Sequence, residues 1–182
     1  SENAIRAENY QQNNLMATFT LVDSILNKKF EVNLAIPGRH NVLNALATYA
    51  VAQHYGIDPQ KTFAALEKFQ GVGRRFQLYG DIKIPEGSFS LVDDYGHHPR
   101  ELQVTIDAVR NVWPSRRLVM VFQPHRYSRT AELMDEFVNV LKTVDLIILL
   151  EIYSAGEAPI PGIASEVLAS HFGKQSKVPL VL

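Results

Sequence analysis

Apolar and polar positions alternate twice near the start of the chain. Ala17, Phe19 and Leu21 are separated by polar or small residues, and Phe30, Val32, Leu34 and Ile36 repeat the pattern. A period of two is that of a half-buried strand. The polar link from Asp23 to Lys29 joins the two runs into a predicted β-hairpin. Tyr10 to Asn14 reads as a polar loop ahead of it. A lone hairpin is marginal in water, so this one must pack on something. Pro37-Gly38 ends the second strand, and the period becomes helical. A helix is expected from Asn41 to Tyr55, with Val42, Leu46, Tyr49 and Ala50 on one face and Gly56 as its stop. Asp58-Pro59 opens another helix, with an acid at the cap and proline at the first helical position. Phe63, Leu66 and Phe69 follow at helical spacing. Gly71-Val-Gly73 ends this unit, so a boundary is expected there, giving domains 1–73 and 74–182.

Strands and helices alternate beyond that point. Phe76 to Ile84 and Phe89 to Val92 read as strands joined through Pro85-Glu-Gly87. Pro99 opens a helix with Leu102, Ile106, Val109 and Trp113 on one stripe, and Pro114 stops it. Leu118 to Phe122 is a continuous apolar run, as in a strand buried on both faces. A helix is expected from Thr130 to Lys142, with Leu133, Phe137 and Leu141 inward. Leu146 to Leu150 reads as another buried strand, Ser154 to Gly162 as a loop, Ile163 to Phe172 as a short helix and Val178 to Leu182 as a last strand. Buried strands with helical crossovers predict an α/β fold with a doubly wound, mainly parallel sheet.

Composition narrows the function. The 182 residues suffice for one domain, or one domain and part of another. A net charge of −1 argues against nucleic-acid binding through a basic face. The absence of cysteine excludes disulfides and thiolate metal sites and fits a reducing compartment. No apolar run approaches the ~20 residues of a membrane span, and no signal peptide is expected at the start. Ser1 to Ala4 reads as a cut point or a cloning remnant.

The chemistry is concentrated in Asp93-Asp-Tyr-Gly-His-His-Pro99. In open α/β sheets ligands bind at the carboxyl ends of strands. Parallel strands would bring the loops after Val92, Phe122 and Ile152 to one rim. They offer Asp93, Asp94, Tyr95, His97, His98, His125, Arg126, Arg129, Tyr153 and Glu157. This mixed-charge rim suits an anionic, hydrogen-bonding ligand. Guanidinium groups favour carboxylate or phosphate because they bind both oxygens at once. Bland readings stand beside this one. The histidine pair is equally at home capping a helix start, the aspartates bonding turn amides, and the arginines in solvent. Asp94, His97, His98 and His125 also have the chemistry of a zinc or manganese site, although no HExxH-type spacing accompanies them. There is no G-x-x-x-x-G-K-[ST], no G-x-G-x-x-G and no G-x-S-x-G. If a nucleotide is handled, this chain does not supply the phosphate cradle.

Four stretches together resemble one family: Pro37-Gly-Arg-His-Asn-Val-Leu-Asn44-Ala, Gly71-Val-Gly-Arg-Arg-Phe76, the Asp93 to Pro99 turn, and Phe122-Gln-Pro-His-Arg-Tyr-Ser-Arg129-Thr. In order and spacing they are similar to the Mur ligases, from about Glu8 to the end. Glu157-Ala-Pro-Ile-Pro-Gly162 is also alike, and the two-histidine turn points to the branch that joins L-alanine to UDP-N-acetylmuramate. The resemblance implies the tail of a central ATPase domain followed by a Rossmann-like C-terminal domain. The phosphate cradle and the Mg2+ ligands would then lie upstream. It implies a cytoplasmic, ATP-dependent amide ligase of peptidoglycan synthesis, working through an acyl phosphate and inactive as this piece alone, with no nucleic-acid or membrane partner. By resemblance His40, Asn41 and Asn44 contact adenine, Arg75 is an inter-domain arginine, and Asp94 reaches the ribose. Gln77 stands where relatives carry a glutamate. Tyr95, His97, His98, His125, Arg126 and Arg129 fall near the sugar-acid and amino-acid substrates. His97, Arg126 and Arg129 are the candidate catalytic groups, with no metal ligand in this piece. A recycling ligase that attaches a tripeptide to the same sugar, and a metal-dependent hydrolase or binding module, are the alternatives.

Overall fold

The structure is a computed structural model that describes residues 4–172 and 179–182. Most of the expected cut point, residues 1–3, and Val178 of the expected last strand lie outside the described residues. The contacts divide the chain into two compact units. One holds Ser1–Tyr95 with Asp107–Pro114, and the other holds Gly96–Ile106 with Ser115–Leu182.

The first unit opens with an antiparallel sheet of order β1-β2-β3, formed by Ile5–Asn13, Met16–Asp23 and Lys28–Leu34. The hairpin read from sequence is β2–β3. Tyr10 to Asn13, expected in a loop, belong instead to β1, which pairs with β2 through Gln11↔Thr18 and Asn13↔Met16. β1 is an edge strand with a bulge between Glu8 and Gln11, and polar side chains are tolerated where no second strand covers them. Phe19, Leu21, Val32 and Leu34 are buried against α1 (Arg39–His54) and α2 (Pro59–Lys68). The inward face of α1 is Val42, Ala45, Tyr49 and Ala52. Ala50, expected on that face, is exposed, because the stripe runs through positions 42, 45, 49 and 52. Asp58 caps α2, accepting from Gln60 N and Lys61 N at 2.8 and 3.3 Å. Phe69 is exposed, since the helix ends before it. β4 (Gln77–Ile84) and β5 (Gly87–Asp93) form an antiparallel hairpin.

The second unit has a parallel sheet of order β6-β7-β8, formed by Val119–Phe122, Leu146–Leu149 and Leu180–Val181. The fold is therefore α/β with a parallel sheet, as the alternation implied. Two expectations change. Among the described residues β5 pairs with β4 and does not join the parallel sheet. The run in β6 is not buried on both faces: Phe122 is buried, but Val119 and Val121 are 44% and 61% exposed. The core of this unit, Phe137, Leu141, Ile147, Leu149 and Leu168 with Leu102 and Ile106, lies on the Phe122 side. Leu102 and Ile106 come from α3 (Pro99–Val112). The expected helix from Thr130 to Lys142 is two, α4 (Tyr127–Glu132) and α5 (Met134–Leu141). Leu133 breaks it, with a non-helical φ of −110° and ψ of 22°, while its side chain packs on the core. α6 (Ser165–Ser170) completes the unit.

One buried polar pair pins the first unit. The Tyr49 hydroxyl donates to Asp23 Oδ2 at 2.9 Å, and Asp23 Oδ1 accepts from Ile25 N and Leu26 N at 2.9 Å each. Asp23 is 3% exposed. Burial and the neighbouring carboxylate push the Tyr49 hydroxyl up to about 12. Tyr49→Phe is expected to lower stability by about 1–3 kcal/mol, because it leaves a buried carboxylate oxygen without its donor. Urea unfolding reads this, and an unchanged midpoint would show that the pair contributes nothing.

Candidate functional site

The polar residues fall into two groups, one in each unit. In the first unit Gly38 starts α1 at φ +100°, a conformation that only glycine adopts without strain. A Cβ there would meet His40 Cε1 at 2.6 Å and Nδ1 at 2.8 Å. The missing side chain is what lets the imidazole seat against the backbone. His40 Nδ1 is buried and has no hydrogen-bond partner among the described residues. Burial holds His40 below the ordinary histidine value; Asp94 opposes this and Arg75 adds to it. One turn on, Asn41 Nδ2 donates to Pro37 O at 2.7 Å, and Asn44 Nδ2 to Asn41 Oδ1 at 3.3 Å. The two amides share a helix face, as the spacing of three implies.

The turn before β4 is clasped to the end of β5. Phe76 N donates to Asp94 Oδ2 at 2.9 Å, and Tyr95 N to Arg74 O at 2.6 Å. The Arg74 guanidinium lies 4.7 Å over the Tyr95 ring and 3.7 Å from Asp93. Arg75 lies 6.0 Å over the same ring. Gln77 Oε1 accepts from Arg74 N at 2.8 Å, so the residue that departs from the family pattern closes this turn. Arg74 and Phe76 sit at φ +58° and +47°. These bonds hold two non-glycine residues in the left-handed region, at about 1–3 kcal/mol each.

In the second unit His97 does meet the loops after β6 and β7, whereas Asp93, Asp94 and Tyr95 of the expected rim belong to the first unit, because β5 pairs with β4 and not with the parallel sheet. His97 and His125 have ring centroids 5.5 Å apart, and His125 and Tyr153 5.3 Å. Arg126 N donates to Tyr153 O at 2.8 Å and Tyr153 N to Pro124 O at 2.9 Å, a parallel bridge beyond the ends of β6 and β7. Arg129 donates to His125 O at 3.2 Å and lies 3.4 Å from its Nδ1. The Arg126 guanidinium is 3.6 Å from Glu157. Arg126 has φ +75° and ψ 135°, a rare backbone state for a non-glycine residue and one that clusters at ligand sites.

His98 behaves as the bland reading allowed. It precedes Pro99 at the start of α3, and its Nδ1 accepts from Arg100 N at 3.2 Å. Glu101 reaches back and accepts from His97 N and His98 N at 2.9 and 3.2 Å. This is a capping box with histidine in the usual serine position. Glu101 also lies 3.7 Å from His97 Nδ1 and orients that ring. It was missed in the sequence, although a glutamate two residues after Pro99 was a legible signal. Ser128 was missed too. Its N and Oγ donate to Glu157 at 3.0 and 2.7 Å, a pairing that no local pattern marks. Among the described residues no group of three or more histidine, aspartate or glutamate side chains is placed to hold a metal ion.

Comparison with known proteins adds to this geometry. Residues 74–181 match the family model described as Mur ligase, glutamate ligase domain. A UDP-N-acetylmuramate–L-alanine ligase of Legionella pneumophila is 49% identical over 172 residues, covering 94% of this chain and 37% of the relative. The enzyme of that name from Halorhodospira halophila is 57% identical over 141 residues, 78% of this chain and 29% of its own length. The match thus spans only 37% and 29% of the length of these two curated relatives. A UDP-N-acetylmuramate–alanine ligase structure from Thermotoga maritima aligns with a TM-score of 0.75 at 26% identity, over 98% of this chain and 37% of that one. A murein peptide ligase from Psychrobacter arcticus aligns at 0.65 and 25%, over 100% and 36%.

Burial, then the charges of Arg129, His97 and Arg126, hold His125 below its ordinary value, with Glu157 opposing. As pH falls, the unfolded chain takes up this proton first. The contribution to stability is therefore complete above about pH 6.5 and is lost as pH falls through the depressed value. In an NMR titration His125 is expected to have a midpoint below that of free histidine, and Arg129→Gln to raise it. A midpoint at or above about 6.5 in the unaltered protein would contradict this account.

Proposed function

The chain belongs to the Mur ligase family, and from that premise we propose that it is part of an ATP-dependent ligase joining L-alanine to UDP-N-acetylmuramate in peptidoglycan precursor synthesis. The observation that carries the reading is the meeting of His97, His125, Arg126 and Arg129 on the rim of the second unit. Two guanidinium groups beside two imidazoles suit carboxylate substrates and the charge that develops during acyl transfer. The 49% and 57% identical relatives supply the substrate names. Residues 1–73 are read as the end of the central domain and 74–182 as the C-terminal domain, which is supported by a family match starting at residue 74.

In this reading the muramate carboxylate is activated as an acyl phosphate and the alanine amine attacks it. Catalysis then consists largely of positioning and charge stabilisation. Arg126 and Arg129 hold the carboxylate or the developing charge, and His97, steered by Glu101, orients the nucleophile or takes its proton. Tyr95, His98 and His125 are assigned to substrate binding by their match to the family's motifs. His40, Asn41, Asn44, Arg75 and Asp94 would hold the nucleotide. The buried His40 Nδ1, without a partner among the described residues, and the paired amides of Asn41 and Asn44 suit a flat heterocycle with its own donors and acceptors. ATP supplies the phosphoryl group. Its cradle and the Mg2+ ligands are assigned to sequence upstream, because no G-x-x-x-x-G-K-[ST] occurs here. A cytoplasmic location follows from the same reading. Among the described residues no helix is long and apolar enough to cross a membrane.

The full-length protein is expected to hydrolyse ATP only when UDP-N-acetylmuramate and alanine are both present, whereas this chain alone ligates nothing. Arg129→Ala in the full-length protein is expected to lower kcat/KM by about a hundredfold or more, as for a lost charge-stabilising donor. Preference for a tripeptide over alanine would move the assignment to the recycling ligase. Ligation by the isolated chain would overturn the reading.

A further inference from the structure

We infer that Glu157 is a positioning residue, which holds the start of α4 so that Arg126 presents its guanidinium at the rim. The inference rests on the proposed role of Arg126 and deepens it. α4 begins in an unusual way: its N-cap is Arg126, and no side chain of its own caps it. Arginine has donors only, so it cannot satisfy the N–H groups that open a helix. The acceptor comes from the loop after β7. Glu157 Oε2 takes Ser128 N at 3.0 Å and Oε1 takes Ser128 Oγ at 2.7 Å. Both are charge-assisted bonds, the strong kind.

The same carboxylate lies 3.6 Å from the Arg126 guanidinium. That is ion-pair range but longer than a good hydrogen bond. Glu157 therefore aims Arg126 without saturating it, and the Arg126 side chain stays 49% exposed. The backbone is held as well. Arg126 N is bonded to Tyr153 O, and the residue keeps a φ of +75° that it would not choose in isolation. Glu157 is ionised at neutral pH, because the bonds from Ser128 hold its carboxyl below the usual range. Removing it would release both the helix start and the strained residue beside it.

The test is steady-state kinetics on the full-length ligase, with each carboxylate substrate varied in turn, for Glu157→Ala, Glu157→Gln, Arg126→Lys and the double variant Arg126→Lys/Glu157→Ala. Glu157→Ala is expected to raise one KM by about tenfold or more, with a smaller fall in kcat, as for a misplaced binding group. Glu157→Gln should fall between, since an amide accepts one of the two Ser128 bonds and carries no charge. On the Arg126→Lys background Glu157→Ala should add less than about threefold, because a residue acting through Arg126 has little left to position. A purely structural role would instead multiply the two effects. Multiplying effects, or normal kinetics for Glu157→Ala beside an impaired Arg126→Lys, would overturn the inference and leave the proposed function standing. A silent Arg126→Lys would overturn the role of Arg126 and this inference with it. If Glu157→Ala fails to fold, Glu157→Gln decides: an unchanged KM overturns the inference, and a raised KM with an unchanged melting midpoint supports it.

Discussion

Two backbone hydrogen bonds, Arg126 N–H to Tyr153 O and Tyr153 N–H to Pro124 O, carry the parallel ladder past the ends of β6 and β7. The rim of the second unit is built on that extension. Loops placed only by their own turns would hold arginines and histidines loosely. Here the loop backbone is an outgrowth of a sheet whose centre, Ile147 and Leu149, is at most 1% exposed. Packing energy from an apolar core is thus transmitted to polar side chains that contribute little to folding themselves.

The same logic appears in each loop. Charged groups that look like ligand contacts are also employed in holding the backbone. Glu101 closes a capping box at His97 and His98, Asp94 bonds the amide of Phe76, and Glu157 caps a helix that begins with an arginine. This division leaves the cationic and aromatic groups facing outward and uses the carboxylates as struts. It also explains how a chain of net charge −1 presents a rim suited to anions. The negative charge beside the arginines is consumed in short bonds to backbone N–H groups and to Ser128.

Backbone strain follows the same map. Arg74, Phe76 and Arg126 all have positive φ, and each stands next to a residue assigned to the site. Non-glycine residues hold such states only where neighbouring bonds over-determine them. The bonds from Tyr95, Asp94 and Tyr153 do so here. The first unit uses glycine for a related purpose, since at Gly38 the absent side chain is the space into which His40 fits.

The order of the elements, the hairpin of β2 and β3, the helix caps at Asp58 and Pro99 and the family motifs were legible in the sequence, because each rests on periodicity or on turn chemistry within a few residues. Where the reading failed, the deciding contact was distant. Tyr10 to Asn13 form a strand because β2 offers an edge to pair with, and nothing in a polar run announces that. Val119 and Val121 are exposed because the helices of their unit pack on the other face of β6, a choice that an unbroken apolar run cannot encode. At the candidate site, residue types and spacing singled out His97, His125, Arg126 and Arg129, which the fold does bring together, but partners such as Ser128 and Glu101 went unread. Ser128 and Glu157 are 29 residues apart, and only the folding of two loops onto one sheet brings a carboxylate to a helix start that has no cap of its own. Local chemistry determined which groups are offered; the long-range packing of the sheet decided which of them became struts.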